Sequence, residues 1–399
     1  MIYLDWAASA PPEPEALEEA RDVSLRFFAN PSSPHAAGKE AEERLEDARA
    51  RLARLLGAEA REVVFTSGGT ESNCSLLLSL LDRHRLGGVE RQKTRLVTTA
   101  IEHASIYEQA KSLQGHGVTC AFVRPGADGI VAPRAVADAL DENTSMVSVM
   151  LVNNETGAIQ DVAGIARAVR EFSKRRGRKI LLHTDGVQAL GKVPVSLREL
   201  DVDAASFSAH KIGGPRGTGA LYLRAGAAPG FLSVGGGQES GRRPGTENLP
   251  GLRAMTVAAE KRIAHLAENL AAARDNARRL ISGLRQIPGT WIFPSAREDD
   301  DPRYSPYIVC AGFPPLPAEI VVRISDGRGF CISAGSACSS RKKDRTRVPE
   351  SMGLSHETAL SAVRISIGPT TTPAHIDALL SALKEEIPPL LAISKGRSA

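Results

Sequence analysis

Short apolar segments alternate with amphipathic segments along the first two thirds of the chain. The apolar segments are rich in β-branched residues and predict strands at 62–66, 95–99, 145–152, 179–184, 205–208 and 219–223. Between them, stretches such as residues 39–56 repeat leucine and alanine at helical spacing. Regular alternation of strands and helices predicts an α/β fold with a doubly wound, mostly parallel sheet.

The pattern changes after about Gly251. A long segment rich in Ala, Arg and Leu, at 255–284, predicts a helix. The residues beyond it contain fewer signals for parallel strands. We therefore expect a second, smaller α+β domain to begin near this point.

Composition narrows the classes of protein. The chain has 399 residues with 42% hydrophobic content, enough for a large core and two domains. The net charge is 50 − 46 = +4, and the basic residues are scattered among acids, so no nucleic-acid partner is indicated. Five cysteines without C-x-x-C spacing indicate neither a disulfide framework nor a metal site. With no leader pattern and no apolar run of membrane-spanning length, we expect a soluble, cytoplasmic protein with no membrane partner.

A glycine-containing motif, Thr-Ser-Gly-Gly-Thr-Glu-Ser-Asn at 66–73, lies between a predicted strand and a predicted helix at 75–81. Glycines such as Gly69 allow a tight turn, and Thr70 could cap the helix and offer a hydroxyl. The free N–H groups of a helix N-terminus form a phosphate site. The motif is neither a Walker loop nor a G-x-G-x-x-G fingerprint, so ATP and NAD are disfavoured. A plain strand-to-helix turn is the alternative.

Polar residues with side chains suited to binding a ligand follow two neighbouring predicted strands. Asp185 and Gln188 follow one strand, and Ser208, His210 and Lys211 end the next. Ligands bind at the carboxyl ends of strands in an open parallel sheet. There a carboxylate can keep a heteroaromatic nitrogen protonated, an amide can donate to a ring oxygen, a lysine can form a Schiff base, and Ser and His can bind phosphate. For each residue alone, a surface or capping role is the alternative. Together they predict pyridoxal 5′-phosphate.

One cysteine lies among very small residues. Cys338 is in the sequence Ser-Ala-Gly-Ser-Ala-Cys-Ser-Ser at 333–340. Such a stretch packs poorly and predicts a mobile loop, at about 333–345, on which a thiol can travel to meet a substrate. Cys338 is therefore the candidate nucleophile, and a free cysteine in an ordinary turn is the alternative.

With these motifs in order, the chain resembles the cysteine desulfurases of the NifS/IscS type, in the class V aminotransferase group of fold-type-I pyridoxal phosphate enzymes. The likeness covers nearly the whole chain. The matching stretches are 3–5, 30–35, 65–73, 102–103, 152–157, Asp185 with Gln188, 208–211, 242–248, 335–340 and Arg364. The resemblance implies a large cofactor-binding domain at 12–255. It also implies a small domain, formed by 1–11 and 256–399, that carries the cysteine loop.

The resemblance also implies roles for single residues. His103 would stack on the cofactor ring and help to move protons. Asn154 would contact the ring oxygen or the substrate carboxylate. Asn30 is expected to contact the substrate carboxylate as well. Thr246 would reach a cofactor phosphate in the neighbouring subunit. Arg364 lies between apolar residues on a predicted strand and needs an anion, for which a substrate carboxylate is one interpretation and a buried ion pair the other.

The activity implied is that of a homodimer converting L-cysteine to L-alanine. The sulfur would remain as a persulfide on Cys338 for transfer to an acceptor protein, in iron–sulfur cluster assembly or tRNA thiolation. A selenocysteine lyase or a pyridoxal phosphate aminotransferase on the same fold is an alternative. A non-catalytic binding or scaffold protein is another, which intact Lys211, Asp185 and Cys338 disfavour.

Three places depart from the family pattern. Trp6 follows Asp5 where the family usually has Asn, and Ser240 stands where many members have Arg. The sequence Arg-Lys-Lys-Asp-Arg at 341–345 replaces the usual small and acidic residues. None of these changes removes a catalytic group. They leave open which acceptor protein receives the sulfur.

Overall fold

A computed structural model describes residues 1–81, 94–227, 229, 233–335 and 346–396. In these ranges the strands are β1 (Ile2–Tyr3), β2 (Val63–Thr66), β3 (Arg95–Thr99), β4 (Thr119–Val123), β5 (Thr144–Ser148), β6 (Leu181–Asp185), β7 (Ala204–Ser208), β8 (Gly219–Leu223), β9 (Trp291–Phe293), β10 (Ile308–Gly312), β11 (Phe330–Cys331), β12 (Ser333–Ala334) and β13 (Val363–Ser366). The helices are α1 (Pro14–Arg26), α2 (Ala36–Leu56), α3 (Gly69–Leu78), α4 (Ala104–Gly115), α5 (Pro133–Ala139), α6 (Val162–Arg176), α7 (Leu197–Leu200), α8 (Leu249–Ala264), α9 (Leu266–Arg285), α10 (Ala318–Gly327), α11 (Arg347–Ser351), α12 (His356–Leu360) and α13 (Pro373–Gly396).

A seven-stranded sheet in the order β2-β8-β7-β6-β5-β3-β4 forms the centre of the molecule. The five strands from β7 to β4 are parallel, and β8 is antiparallel to both of its neighbours. Helices cover the sheet and bury an apolar core that includes Leu52, Val97 and Leu182. The predicted α/β fold with a mostly parallel sheet is confirmed.

A smaller four-stranded sheet in the order β12-β13-β10-β9 lies in the C-terminal part and is antiparallel. Its separate apolar cluster includes Leu280, Phe313, Ile365 and Leu379. The chain start joins this part, because β1 pairs with β11. The expected domain boundaries near residues 12 and 255 remain a prediction.

Several elements differ from the sequence-based expectation. β4 was not predicted, although four of its five residues are apolar; it is a partly exposed strand at the edge of the sheet. The strand predicted over 145–152 ends at Ser148, since Val152 instead bridges to Ile159 across a tight turn. The helix predicted over 255–284 begins earlier, at Leu249, and is interrupted at His265, where no Gly or Pro marks the break.

The unusual Trp6 packs between the two parts of the fold. It is buried, its ring faces Gly368, and the Arg262 guanidinium lies 5.5 Å from the ring centroid. A Cβ atom at Gly368 would come within 2.1 Å of the indole. The indole of Trp6 therefore fits in this place because residue 368 is a glycine and has no side chain.

Gly368→Ala is expected to destabilise the fold by about 1–3 kcal/mol, the usual cost of overpacking. Urea unfolding of the variant measures the change. Gly115→Ala on α4 is the matched control, because a Cβ there meets no atom within 4 Å. If both variants unfold at the same urea concentration, the Trp6 indole can move aside at little cost, and the close packing of Trp6 on Gly368 does not contribute to stability.

None of the helices in the described ranges combines the length and the apolar content needed to cross a bilayer.

Candidate active site

A cavity of about 410 Å³ opens at the carboxyl ends of β2, β6 and β7, the edge at which parallel sheets bind ligands. The N-terminal segment at Ala7 and Ala8 and strand β13 complete its wall. Every predicted site residue in the described part of the chain lines it, except Asn30 and Thr246. The fold thus gathers side chains from positions more than two hundred residues apart in sequence.

The glycine motif forms the turn between β2 and α3. Gly68 has a φ of +147°, which favours glycine, and a Cβ at Gly69 would lie 2.5 Å from the Val187 side chain. The helix begins at Gly69, and its cap residue makes no side-chain hydrogen bond. Thr70 therefore lies in the first turn, and the expectation that it caps the helix is wrong. The uncapped helix start faces the Ser208 side chain, whose Oγ is 3.6 Å from the Cβ position of Gly68.

Asp185 ends β6 and is buried. Its Oδ2 accepts a hydrogen bond from Asn73 Nδ2 at 2.8 Å, and its Oδ1 accepts one from the Val187 backbone at 2.9 Å. A donor on each oxygen fixes the plane of the carboxylate at the cavity wall.

Lys211 closes a short 3₁₀ turn directly after β7. Its Nζ donates to the backbone oxygens of Ala7 and Ala8, at 2.7 and 2.8 Å. Backbone carbonyl groups of the N-terminal segment thus hold the amine on the cavity wall. Because the side chains of residues 7 and 8 take no part, the sequence could not predict this contact.

Gln188 shares one of these carbonyls with the lysine. Its Nε2 donates to Ala7 O at 2.9 Å, and its Oε1 accepts from Lys192 Nζ at 2.6 Å. Burial, with the nearby charge of Lys211, holds the pKa of Lys192 well below its ordinary value. We did not predict Lys192 from the sequence, although its spacing of four residues from Gln188 was a possible signal.

Two histidines line the cavity. His103 caps α4, and its Nδ1 accepts from the Ser105 backbone at 3.2 Å. Burial lowers the pKa of His103, against the opposing effect of the Asp185 carboxylate. His210 Nδ1 lies 3.3 Å from Ser9 Oγ, and burial together with the Lys211 charge lowers the pKa of His210 to about 4.

Arg364 lies on β13 with its side chain 2% exposed. Its Nη1 donates to the backbone oxygen of Asn154 at 3.0 Å, and its Nη2 pairs with Asp5 Oδ1 at 2.8 Å. Its Nε is buried without a partner among the described residues. The guanidinium thus takes part in an ion pair and also faces the cavity, which agrees with both interpretations made from the sequence.

Asn30 and Thr246 are exposed and are not among the residues that line the cavity. Asn30 Oδ1 accepts from the Ser32 backbone at 2.9 Å. Near Thr246, Arg243 Nε donates to Glu71 Oε1 at 3.0 Å, which ties that loop to the start of α3. The substrate role of Asn30 and the intersubunit role of Thr246 remain predictions.

Cys338 and most of the predicted cysteine loop lie outside the described residues. One boundary is corrected: residues 333–334 form β12 and pair with β13 at Arg364 and Val363, so a loop begins no earlier than Gly335. The expectation of a loop from 333 missed this pairing because small residues give no strand signal.

Besides Lys192, two polar residues contribute to the site without having been assigned a role from the sequence. Asn73 contacts Asp185, and Ser105 Oγ lies 2.8 Å from His103 Nδ1. Asn73 follows Thr70 by one helical turn, so this spacing on α3 could have placed it on the same face.

Comparison with known proteins agrees with this arrangement. The family model described as "Aminotransferase class-V" matches residues 2–379. A cysteine desulfurase of Cereibacter sphaeroides is 36% identical over 396 residues, covering 98% of this chain and 97% of that protein. Cysteine desulfurase IscS of Methanosarcina thermophila is 33% identical over 398 residues, covering 98% and 93%. A solved structure of a NifS-like protein superposes with a TM-score of 0.86 at 33% identity, covering 96% and 98%. The chain therefore belongs to the class V aminotransferases and, among them, to the cysteine desulfurases of the NifS/IscS type.

Proposed function

We propose that this protein is a pyridoxal phosphate-dependent cysteine desulfurase, which converts L-cysteine to L-alanine and leaves the sulfur as a persulfide on Cys338. The observation that carries the proposal is one cavity lined by a buried carboxylate, a lysine amine, an uncapped helix start and an arginine. The cysteine desulfurases to which the chain is similar support the same activity, and they do not favour a selenocysteine lyase or an aminotransferase.

The residues present fit pyridoxal 5′-phosphate. Gly68 and Gly69 leave no Cβ over the helix start, so a phosphate can approach the N–H groups of Gly69 and Thr70. Ser208 and His210 would assist there, and Asp185 would hold the ring nitrogen protonated. Stacking by His103, and ring-oxygen contacts from Gln188 and Asn154, would complete the cofactor site. When bound, the cofactor supplies an electron sink for bond breaking at the substrate Cα.

Lys211 would move a proton at the substrate Cα. The carbonyls of Ala7 and Ala8 hold its amine at the cavity wall. Arg364 would bind the substrate carboxylate with the N–H groups that are not used by Asp5 and the Asn154 backbone oxygen. Substrate orientation would thus be determined by β13 and the chain start together.

Cys338 would act as a thiolate on the substrate sulfur. A bond forms between Cys338 Sγ and the substrate sulfur while the substrate Cβ–sulfur bond breaks, and the electron pair of that bond passes to Cβ. Protonation at Cβ then gives the methyl group of alanine. The persulfide remains on Cys338 for an acceptor protein.

The quaternary state and the pathway belong to the proposal as well. We expect a homodimer in which Thr246 completes the partner subunit's phosphate site. We also expect a sulfur-acceptor protein serving iron–sulfur cluster assembly or tRNA thiolation, in the cytoplasm, with no direct nucleic-acid partner.

The deciding experiment combines absorbance and mass spectrometry. The purified protein should be yellow, and cysteine should yield alanine while the peptide containing Cys338 gains one sulfur atom. An aminotransferase would instead require a keto-acid co-substrate and yield no persulfide. A colourless protein that makes no alanine would support the scaffold alternative.

Arg364→Lys is expected to raise the Michaelis constant for cysteine about tenfold or more. Lysine keeps the charge but loses the two-pronged geometry that binds a carboxylate. Steady-state kinetics measure the constant, and the absorbance of the bound cofactor should stay unchanged.

Asp5→Asn separates the two interpretations of this arginine. It removes the charge that pairs with Arg364 and leaves the guanidinium in place. If Arg364→Lys lowers the melting temperature as Asp5→Asn does, yet leaves the Michaelis constant near normal, Arg364 is structural.

A further inference from the structure

A continuous series of hydrogen bonds connects Asp185 to His103 along the wall of the cavity. Asn73 Nδ2 donates to Asp185 Oδ2 at 2.8 Å and to Ser105 Oγ at 2.9 Å. Ser105 Oγ lies 2.8 Å from His103 Nδ1. All four side chains line the cavity, and the two in the middle are buried.

The direction of these bonds follows from the carboxylate. An ionised carboxylate only accepts hydrogen bonds, so the NH₂ group of Asn73, and not its oxygen, must face Asp185. The second hydrogen of that NH₂ group goes to Ser105 Oγ. Because Ser105 Oγ accepts this hydrogen, its own hydrogen is free to be donated to His103 Nδ1.

The backbone of Ser105 gives an independent reason for the same direction. Its N–H points at His103 Nδ1 at 3.2 Å and, unlike a hydroxyl, cannot turn into an acceptor. With two donors on Nδ1, that nitrogen has to be unprotonated. The neutral ring must then carry its proton on Nε2.

We propose that Asn73 and Ser105 are positioning residues that hold His103 in the neutral form with its proton on Nε2. The catalytic use of this tautomer rests on the proposed function. His103 presents a hydrogen-bond donor to an acceptor atom of the cofactor or the substrate. It is not the group that accepts the Cα proton, which leaves that transfer to Lys211.

The surroundings of His103 favour the neutral ring. A second ring proton would set Nδ1–H against the fixed N–H of Ser105. Burial lowers the pKa of His103, the charges of Lys211, Arg347 and Arg364 lower it further, and Asp185 alone opposes them among the causes resolved. The geometry and the charges therefore act in the same direction.

Nitrogen NMR of the complete, cofactor-containing protein labelled with ¹⁵N-histidine tests the tautomer. His103→Gln assigns the signals among the nine histidines. We expect Nδ1 of His103 to resonate as an unprotonated nitrogen and Nε2 as a protonated one at neutral pH. A proton on Nδ1 in the unaltered protein overturns the proposal.

Ser105→Ala tests the positioning role, with Ser105→Thr as the conservative variant that keeps the hydroxyl. In Ser105→Ala we expect a detectable fraction of His103 protonated at Nδ1 and a fall of about tenfold in kcat, the effect of one lost hydrogen bond. The Michaelis constant for cysteine should hardly change, and Ser105→Thr should restore both readouts. If Ser105→Ala leaves either the nitrogen signals or kcat at the normal value, the proposal is overturned.

Ser148→Ala is the matched control. Ser148 Oγ lies 2.9 Å from Nδ1 of the buried His183, which is the same contact within the central sheet and away from the cavity. Ser148→Ala should leave the nitrogen signals of His103 and the kcat unchanged. If the unaltered protein forms no alanine, the proposed function fails, while the nitrogen signals still report the tautomer.

Discussion

Lys211→Ala is expected to abolish alanine formation from cysteine and the covalent attachment of the cofactor. The amine of Lys211 is held at the cavity wall by Ala7 and Ala8, on the same edge of the sheet as Asp185. Treatment with borohydride followed by mass spectrometry locates the attachment site. In the unaltered protein we expect the cofactor mass on the peptide that contains Lys211, and in the variant on no peptide.

A second buried lysine provides a control for this experiment. Lys192 lies near the cavity, and burial holds its pKa well below the ordinary value, which favours the uncharged amine that reacts with aldehydes. Its Nζ, however, contacts Gln188 Oε1, and Lys192 is not among the residues that line the cavity. Lys192→Met should therefore retain the borohydride-reducible attachment. If the attachment survives in Lys211→Ala at full yield, the assignment of Lys211 is wrong.

The residues easiest to predict from the sequence stand directly at strand ends. Asp185 ends β6 and Lys211 follows β7, and both strands were evident from short apolar runs. The carboxyl ends of parallel strands meet at one edge, so their convergence follows from the fold class alone. The glycine motif after β2 could be predicted for the same reason.

Contacts between distant segments could not be predicted in this way. Arg364 reaches Asn154 and Asp5 across 210 and 359 residues of sequence, and the carbonyls that hold Lys211 belong to two alanines. A backbone oxygen leaves no trace in residue type. Such contacts depend on how the C-terminal sheet sits against the central one, which no local pattern encodes.

The short-range polar contacts of the site could have been predicted from the sequence, but they were not. Ser105 is two residues from His103, and Asn73 is one helical turn from Thr70. A histidine that caps a helix accepts hydrogen bonds from the first turn, so the tautomer of His103 follows from the cap itself. The sequence analysis assigned His103 to stacking and proton movement and did not consider which nitrogen carries the proton.

The cysteines of the described part of the chain differ in their fitness as nucleophiles. Burial raises the pKa of Cys74, raises that of Cys120 to about 11, and raises that of Cys310 to about 12. A thiol with such a pKa is almost entirely protonated at neutral pH, and the thiolate is the reactive form. These three cysteines are therefore poor candidates for accepting sulfur.

Cys338→Ala is expected to abolish persulfide formation and catalytic turnover while leaving cofactor absorbance and its first change upon adding cysteine intact. The reason is that Cys338 is assigned to the substrate sulfur and to no contact with the cofactor, so its loss removes the sulfur acceptor alone. Cys331→Ala is the matched control, since Cys331 is half-buried on β11, seven residues earlier, and pairs with Tyr3. Alanine formation and the mass of the Cys338 peptide are measured for both variants. Loss of the cofactor spectrum in Cys338→Ala would make this cysteine structural, and equal loss of turnover in both variants would remove the distinction between them.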